Sequence, residues 1–164
     1  MASSIPLRPF LPADTPALRE LFAQSIEELT ADDYDEDQRI AWARSAADAD
    51  AFAKKLASMT TLVALVGGSH AGFAALKNND TVEMLFVHPH YAGQGVGSAL
   101  AEAVERLAQG RGTKEISVEA SDTAEAFFAD RGYQAMQRNM VPRDDQWLAN
   151  TTMKKRLGAV DNDS

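Results

Sequence analysis

Apolar residues recur along this chain with two periods, and the change of period divides it. In the first third the spacing is helical. Leu18, Leu21, Phe22, Ile26 and Leu29 fall on one face, behind a start signal in which Asp14 or Thr15 caps and Pro16 sits in the first turn. Two shorter helices are expected around 36–46 and 48–58, anchored by Trp42, Phe52 and Leu56. Ahead of them, SIPLRPF (4–10) carries two prolines and suits an edge strand at most.

From residue 61 the apolar positions fall into strand-like runs. TLVALV (61–66), the turn Gly67-Gly68 and AGFAALK (71–77) read as a hairpin, and Asn78-Asn79-Asp80 turns into TVEMLFV (81–87). Along that run Glu83, Leu85 and Val87 are expected on one face, with Met84 and Phe86 on the other. A helix over 96–109 buries Val96, Leu100, Val104 and Leu107 and stops at Gly110 and Gly112. Then come a strand (114–120), a short helix (121–131) ended by Gly132, and two strands (133–141 and 147–157). The order predicts one α/β domain over 1–157 with a mixed, partly antiparallel sheet, and a frayed tail over 158–164.

Composition narrows the function. The chain has 164 residues and no cysteine, which excludes disulfides and thiolate chemistry. A formal net charge of −8 argues against broad nucleic-acid binding and mildly favours cationic partners. No apolar run approaches membrane-spanning length, and the N-terminus lacks the pattern of a signal peptide, so a cytoplasmic protein is expected. His88 and His90 lack a spaced third ligand, so no metal site is expected.

One stretch carries chemistry. VHPHYAGQGVGSAL (87–100) follows an apolar strand and opens a helix with Gly93, Gly95 and Gly97 at alternate positions. Glycine costs helix stability, but at a helix mouth it lets an anion approach the unpaired N–H groups. A ligand-free glycine turn is the plainer alternative. A P-loop lacks its lysine here. A dinucleotide fingerprint fails in both frames, because its third glycine falls on Ser98 or Leu100.

The pattern strand–VHP–YxGxGxGSAL–helix resembles the acetyl-coenzyme A motif of the GNAT N-acetyltransferases. LRPFLPAD, AGFAAL, EMLFVHP and AEAFFADRGY resemble further family segments, so the likeness spans nearly the whole chain. DDYDEDQRIAWA, SVEASDTAEAFFADRGY and a final N-x-x-M-K-K are most similar to the bacterial YafP-like branch. The resemblance implies a mostly antiparallel sheet whose parallel fourth and fifth strands splay apart, and homodimers occur in the family.

It also implies roles. Backbone groups of Phe86, Val87 and His88 would pair with the pantetheine arm, Val87 also polarising the thioester carbonyl. Gln94, Gly95, Val96, Gly97, Ser98 and Ala99 would cradle the pyrophosphate. Glu83 would be the base that deprotonates an acceptor amine, with Glu119 as second carboxylate. Tyr34 and Trp42 would help to close the acceptor pocket. Two positions depart from the pattern: Ala92 replaces the motif's first Gln or Arg, and Phe128 stands where many relatives place a tyrosine that protonates the leaving thiolate. Tyr91 and Tyr133 are possible substitutes, each equally readable as packing. The residues therefore leave open an active enzyme on a small-molecule or peptide amine, with acetyl-coenzyme A as co-substrate, or a coenzyme A-binding module of little turnover.

Overall fold

Hydrogen-bonding demand and two apolar faces account for the architecture. The computed structural model describes residues 5–158, so the tail expected over 158–164 lies almost wholly outside the described residues. Strand β1 (Leu7–Pro9) is followed by helices α1 (Thr15–Leu29), α2 (Glu36–Ala43) and α3 (Ala49–Ala57), then by β2 (Thr60–Val66), β3 (Ser69–Lys77) and β4 (Thr81–Val87). Helix α4 (Val96–Gly110), β5 (Glu115–Ser121), α5 (Glu125–Asp130), β6 (Gln134–Arg143) and β7 (Gln146–Arg156) complete the order. The expected sequence of elements holds throughout. No helix among the described residues is long and apolar enough to cross a membrane.

Among the described residues, seven strands form one sheet in the order β1-β2-β3-β4-β5-β7-β6. The pairings are antiparallel except between β4 and β5, where two positions pair in parallel, Thr81 with Ser117 and Val82 with Val118. Beyond them the two strands part. Helices α1 and α3 cover one face through Leu18, Phe22, Ile26, Phe52 and Leu56, against Val63, Phe73, Ala75 and Met84. Helix α4 covers the other through Val96, Leu100 and Val104, against Ala74, Leu76, Val82 and Ile116.

Caps explain the helix starts. Asp35 accepts from the Gln38 N–H while the Gln38 side chain accepts from the Asp35 N–H, which closes a capping box on α2. Asp48 caps α3. Asp14 precedes α1 but does not cap it through its side chain. Its buried carboxylate accepts instead from Arg8, His70 and the Leu11 N–H, tying β1 and β3 to the helix entry. The Arg8 bond foremost, against the opposing effect of burial, holds that carboxyl well below the usual range. The expected helix over 36–46 finishes as a 3-10 turn at Arg44–Ala46. The expected helix over 121–131 shrinks to α5 because β5 runs on to Ser121, whose hydroxyl accepts from the Ala124 N–H.

One face assignment along β4 is corrected. Ala75 pairs with Met84 but Leu76 pairs with Val82, so Glu83 is an extra residue, a β-bulge. The bulge shifts the alternation. Val82, Leu85 and Val87 pack on the α4 side, Met84 and Phe86 on the α1 side. Glu83 does not share the Leu85 face; it reaches Lys55 of α3 on the other side.

Gly72 of β3 sets how closely α4 approaches the sheet. A Cβ there would lie 2.9 Å from the Phe86 carbonyl oxygen, 2.9 Å from Val96 Cγ1 and 3.0 Å from Leu100 Cδ1. The backbone oxygen cannot yield without disturbing β4. Gly72→Ala is expected to destabilise the fold by about 1–3 kcal/mol, read as a lower urea midpoint at unchanged slope.

Candidate active site

Strand register decides which backbone groups face the cleft between β4 and β5. The His88 N–H donates to Ala71 C=O at 2.8 Å, and Phe86 stands opposite Phe73. Backbone polar groups alternate between the two edges of a strand. The Phe86 and His88 amides therefore turn towards β3, while those of Leu85 and Val87 turn towards the departing β5. Of the three residues expected to offer backbone to an extended ligand, only Val87 turns its amide towards the gap, as Leu85 does. The His88 carbonyl accepts from the Tyr91 N–H, and its Nδ1 accepts from the His90 N–H, so His88 is spent on the turn into α4.

The glycine loop lies beside that strand end. Gly93 (φ +77°) and Gly95 (φ +86°) adopt the left-handed conformation, and a Cβ on either would meet nothing within 4 Å. They are glycines for backbone conformation, and the space before them is open. Gly95 precedes α4, whose first amides, on Val96, Gly97 and Ser98, have no carbonyl four residues back inside the helix. A Cβ on Gly97 would lie 3.6 Å from Val87 Cγ2 and 3.5 Å from Phe127 Cε1, so the helix mouth adjoins β4 and α5. The Gln94 side chain donates to the His90 carbonyl and braces the loop, while Ser98 is exposed at the mouth and Ala99 lies one residue inside it, its N–H bonded to Gly95 C=O. The structure thus brings Gln94 through Ala99 together with Val87.

Where β4 and β5 diverge a cavity of about 390 Å³ opens. Glu83, Glu119, Tyr34, Trp42, Phe86 and Phe128 all line it. Glu83 is an exposed carboxylate whose Oε2 lies 3.4 Å from Lys55 Nζ. Glu119 accepts from Asn139 Nδ2 at 3.1 Å and from Thr152 Oγ1 at 2.8 Å. Phe128 is buried, edge-on to Phe127 and Tyr133. It shapes the wall and has no proton to give.

Neither alternative tyrosine lines this cavity. The Tyr133 hydroxyl donates to Glu105 Oε2 at 2.9 Å, and burial first, then the Glu105 charge, pushes its phenol far above the ordinary range. Glu105 is a buried acid on the otherwise apolar face of α4. Burial raises its carboxyl, but hydrogen bonds from Arg131, Lys155 and Tyr133 outweigh this and leave it below the usual range. That cluster is a satisfied structural network away from the cavity lining. Tyr91 packs edge-on against His88 and His90 in the turn.

Tyr34 is a strap as well as a wall. Its hydroxyl donates to Ala149 C=O at 2.6 Å and accepts from the Asp122 N–H at 2.8 Å, linking the α1–α2 connection to β7 and the end of β5. Trp42 packs edge-on against both Tyr34 and Phe86. Two cavity cations, Lys55 and Arg143, carry no sequence signal; each stands in a charged surface pattern, and only the fold turns it inward.

Comparison with known proteins decides the family. Residues 30–157 match the family described as an acetyltransferase (GNAT) domain. The chain belongs to the GNAT acetyltransferases. It is 29% identical over 152 residues to YafP of Escherichia coli K12, called an uncharacterized N-acetyltransferase, covering 93% of this chain and 96% of that protein. It is 50% identical to a GCN5-related N-acetyltransferase (aminotransferase, class-II) from Rhodopseudomonas palustris, with a TM-score of 0.94 over 96% of this chain and 98% of the other. The PaiA N-acetyltransferase of Thermoplasma acidophilum, solved with coenzyme A, shares the fold at 17% identity, with a TM-score of 0.78 over 94% and 99% of the two chains. The seven-stranded sheet, parted at β4 and β5, is thus a GNAT sheet.

Tyr34 yields a pH-dependent expectation. Burial, foremost, pushes its phenol up to about 12 from an ordinary 10.0. A folded-state value above the unfolded one contributes stability below pH 10 that is lost as the pH rises through 12. Tyr34→Phe leaves the Asp122 N–H and Ala149 C=O without this partner and is expected to cost about 1–3 kcal/mol near neutrality. Thermal midpoints from pH 8 to 12 should show the variant lower at pH 8 and losing less than wild type above pH 10.

Proposed function

We propose that this GNAT acetyltransferase uses acetyl-coenzyme A to acetylate an amine by direct attack within a ternary complex. The observation that carries the reading is that one opening between β4 and β5 adjoins the outward Val87 amide, the open glycine mouth of α4 and the Glu83 carboxylate. The pantetheine arm pairs with the Leu85 and Val87 edge as an added strand. The pyrophosphate sits on the first-turn amides of α4 with the Ser98 hydroxyl, where a helix N-terminus favours an anion. Because backbone supplies the contacts, Ala92 in place of Gln or Arg leaves the cradle usable.

Chemistry follows from the cavity. The acceptor nitrogen attacks the thioester carbonyl carbon while the Val87 N–H stabilises the developing oxyanion. Glu83, directly or through water, takes the proton that the nitrogen loses as the C–N bond forms. The C–S bond then breaks and sulfur keeps the electron pair. A thiol of pKa near ~8.5 leaves as thiolate without a protein acid, so Phe128 does not bar turnover. With no cysteine in the chain, an acetyl-cysteine intermediate is impossible.

A thermal-shift titration with acetyl-coenzyme A, coenzyme A, NAD and ATP tests the coenzyme assignment. A ligand that binds only the folded state raises the midpoint. The two coenzymes should raise it and the nucleotides should not; no coenzyme shift would end the transferase reading. Gly97→Ala separates fold from function. Its Cβ meets only ordinary contacts at 3.5 Å or more and favours helix by about 0.5–1 kcal/mol, so stability should hold or rise while the coenzyme shift is lost. Glu83→Gln should keep the shift and lower turnover by ~10²–10⁴-fold. Unchanged turnover would remove Glu83 from the mechanism and favour a coenzyme-binding module if wild-type turnover is itself negligible.

A further inference from the structure

Charge in the cavity does not follow charge on the chain. The protein is strongly acidic, yet the cavity is lined by two carboxylates, Glu83 and Glu119, and two cations, Lys55 and Arg143. Glu83 and Lys55 neutralise one another at 3.4 Å. The other two charges stand alone. Glu119 takes hydrogen bonds only from neutral groups, Asn139 and Thr152, and has no cation within 4 Å among the described residues. Arg143 has no carboxylate within 4 Å among the described residues. Its neighbour Asp144 pairs with Arg44.

Position separates these two uncompensated charges. Glu119 lies on β5, the strand that bounds the opening. Arg143 lies at the far end of β6, opposite Gln146 beside the hairpin turn. Val141 and Arg143, two apart on one strand, line the same cavity. The same cavity has an aromatic wall, with Phe22 and Phe86 rings 4.7 Å apart and Trp42 at 6.1 Å from Phe86. A polyamine would bring two or more cations to a cavity with no net negative charge and would meet Lys55 and Arg143. An amine without a carboxylate would leave the exposed Arg143 guanidinium to water alone.

We propose that the acceptor is a zwitterion whose amine and carboxylate are held apart by an apolar body, as in an ω-amino acid: its amine lies between Glu83 and Glu119, and its carboxylate pairs with Arg143, four residues along β6 from the Asn139 that bonds Glu119. This rests on reading the cavity as the acceptor pocket of an acetyltransferase. Arg143 is then the residue that determines specificity. Its planar fork takes a carboxylate through two parallel bonds, which a lysine does only in part. An aromatic wall selects apolar bodies over polar ones.

The test measures thiol release from acetyl-coenzyme A with matched acceptors: 6-aminohexanoate and 4-(aminomethyl)benzoate against pentylamine, benzylamine, 6-aminohexanamide and spermidine. Carboxylate-bearing acceptors should exceed their decarboxylated and amidated counterparts roughly 10- to 100-fold in kcat/KM, the range expected of a charge-assisted pair. Arg143→Gln should collapse that ratio, chiefly by raising KM for the acids, and Arg143→Lys should restore part of it. Arg143 is exposed and unpaired, so a thermal midpoint near wild type will show that both variants fold. Equal or better turnover of the amines, a preference for spermidine, or a ratio that survives Arg143→Gln overturns the proposal. Failure of every acceptor in the panel to release thiol overturns it too, and the coenzyme titration then reports separately whether the transferase reading stands.

Discussion

Two paired positions, Thr81 with Ser117 and Val82 with Val118, make up the whole ladder between β4 and β5 among the described residues. A sheet normally continues such a ladder, because each unpaired backbone group in the interior costs free energy. Here the ladder stops after Val82, and the next residue, Glu83, is a bulge that bends its strand. The outward amides of Leu85 and Val87 are thereby left at an open edge. β5 finds its remaining partner in β7, along seven consecutive positions from Glu115 to Ser121. The gap between β4 and β5 is thus held open from both sides. The cavity, the strand edge and the mouth of α4 are consequences of that one interruption.

The same interruption sorts the carboxylates. Glu105, buried under α4, is saturated by Arg131, Tyr133 and Lys155, as a buried charge must be. Asp14 is likewise saturated by Arg8, His70 and a backbone amide. These networks position elements. The cavity acids are bonded more sparingly, Glu83 to one ammonium and Glu119 to two neutral donors. Their remaining acceptor capacity faces the cavity, where a substrate can use it.

Helices α1 and α2 reach this site through a few long-range bonds. The Tyr34 hydroxyl clamps Ala149 and Asp122, the Gln38 amide donates to Trp147 C=O, and Thr123 donates to Asp33. The aromatic wall formed by Phe22, Trp42 and Phe86 is held against the opening from that side. A charged turn such as ADDYDED looks like solvated surface in sequence, yet its one aromatic residue spans more than a hundred positions to close the cavity.

Much of this architecture is legible in the order of residues alone. Periodicity places every helix and strand in sequence, because amphipathic elements must show their buried face. The alternating glycines of 93–97 mark the helix mouth, because positive φ at Gly93 and Gly95 leaves few other choices of residue. Glu83 and Glu119 are drawn towards one site by their places on neighbouring strands. The bulge is not legible. A strict alternation read through Glu83 puts it on the wrong face, since one extra residue in a ladder leaves no mark in the hydrophobic pattern. Nor is it visible that Phe86 and His88 turn their amides to β3, which depends on register. Lys55 and Arg143 stay hidden because a surface cation and a cavity cation have the same sequence. Local residues determined the elements, their order and the glycine-lined helix mouth, since these obey short-range rules. Which backbone groups remain unpaired and which charges meet across the cavity were decided by the tertiary structure, because both depend on pairings between residues far apart in the chain.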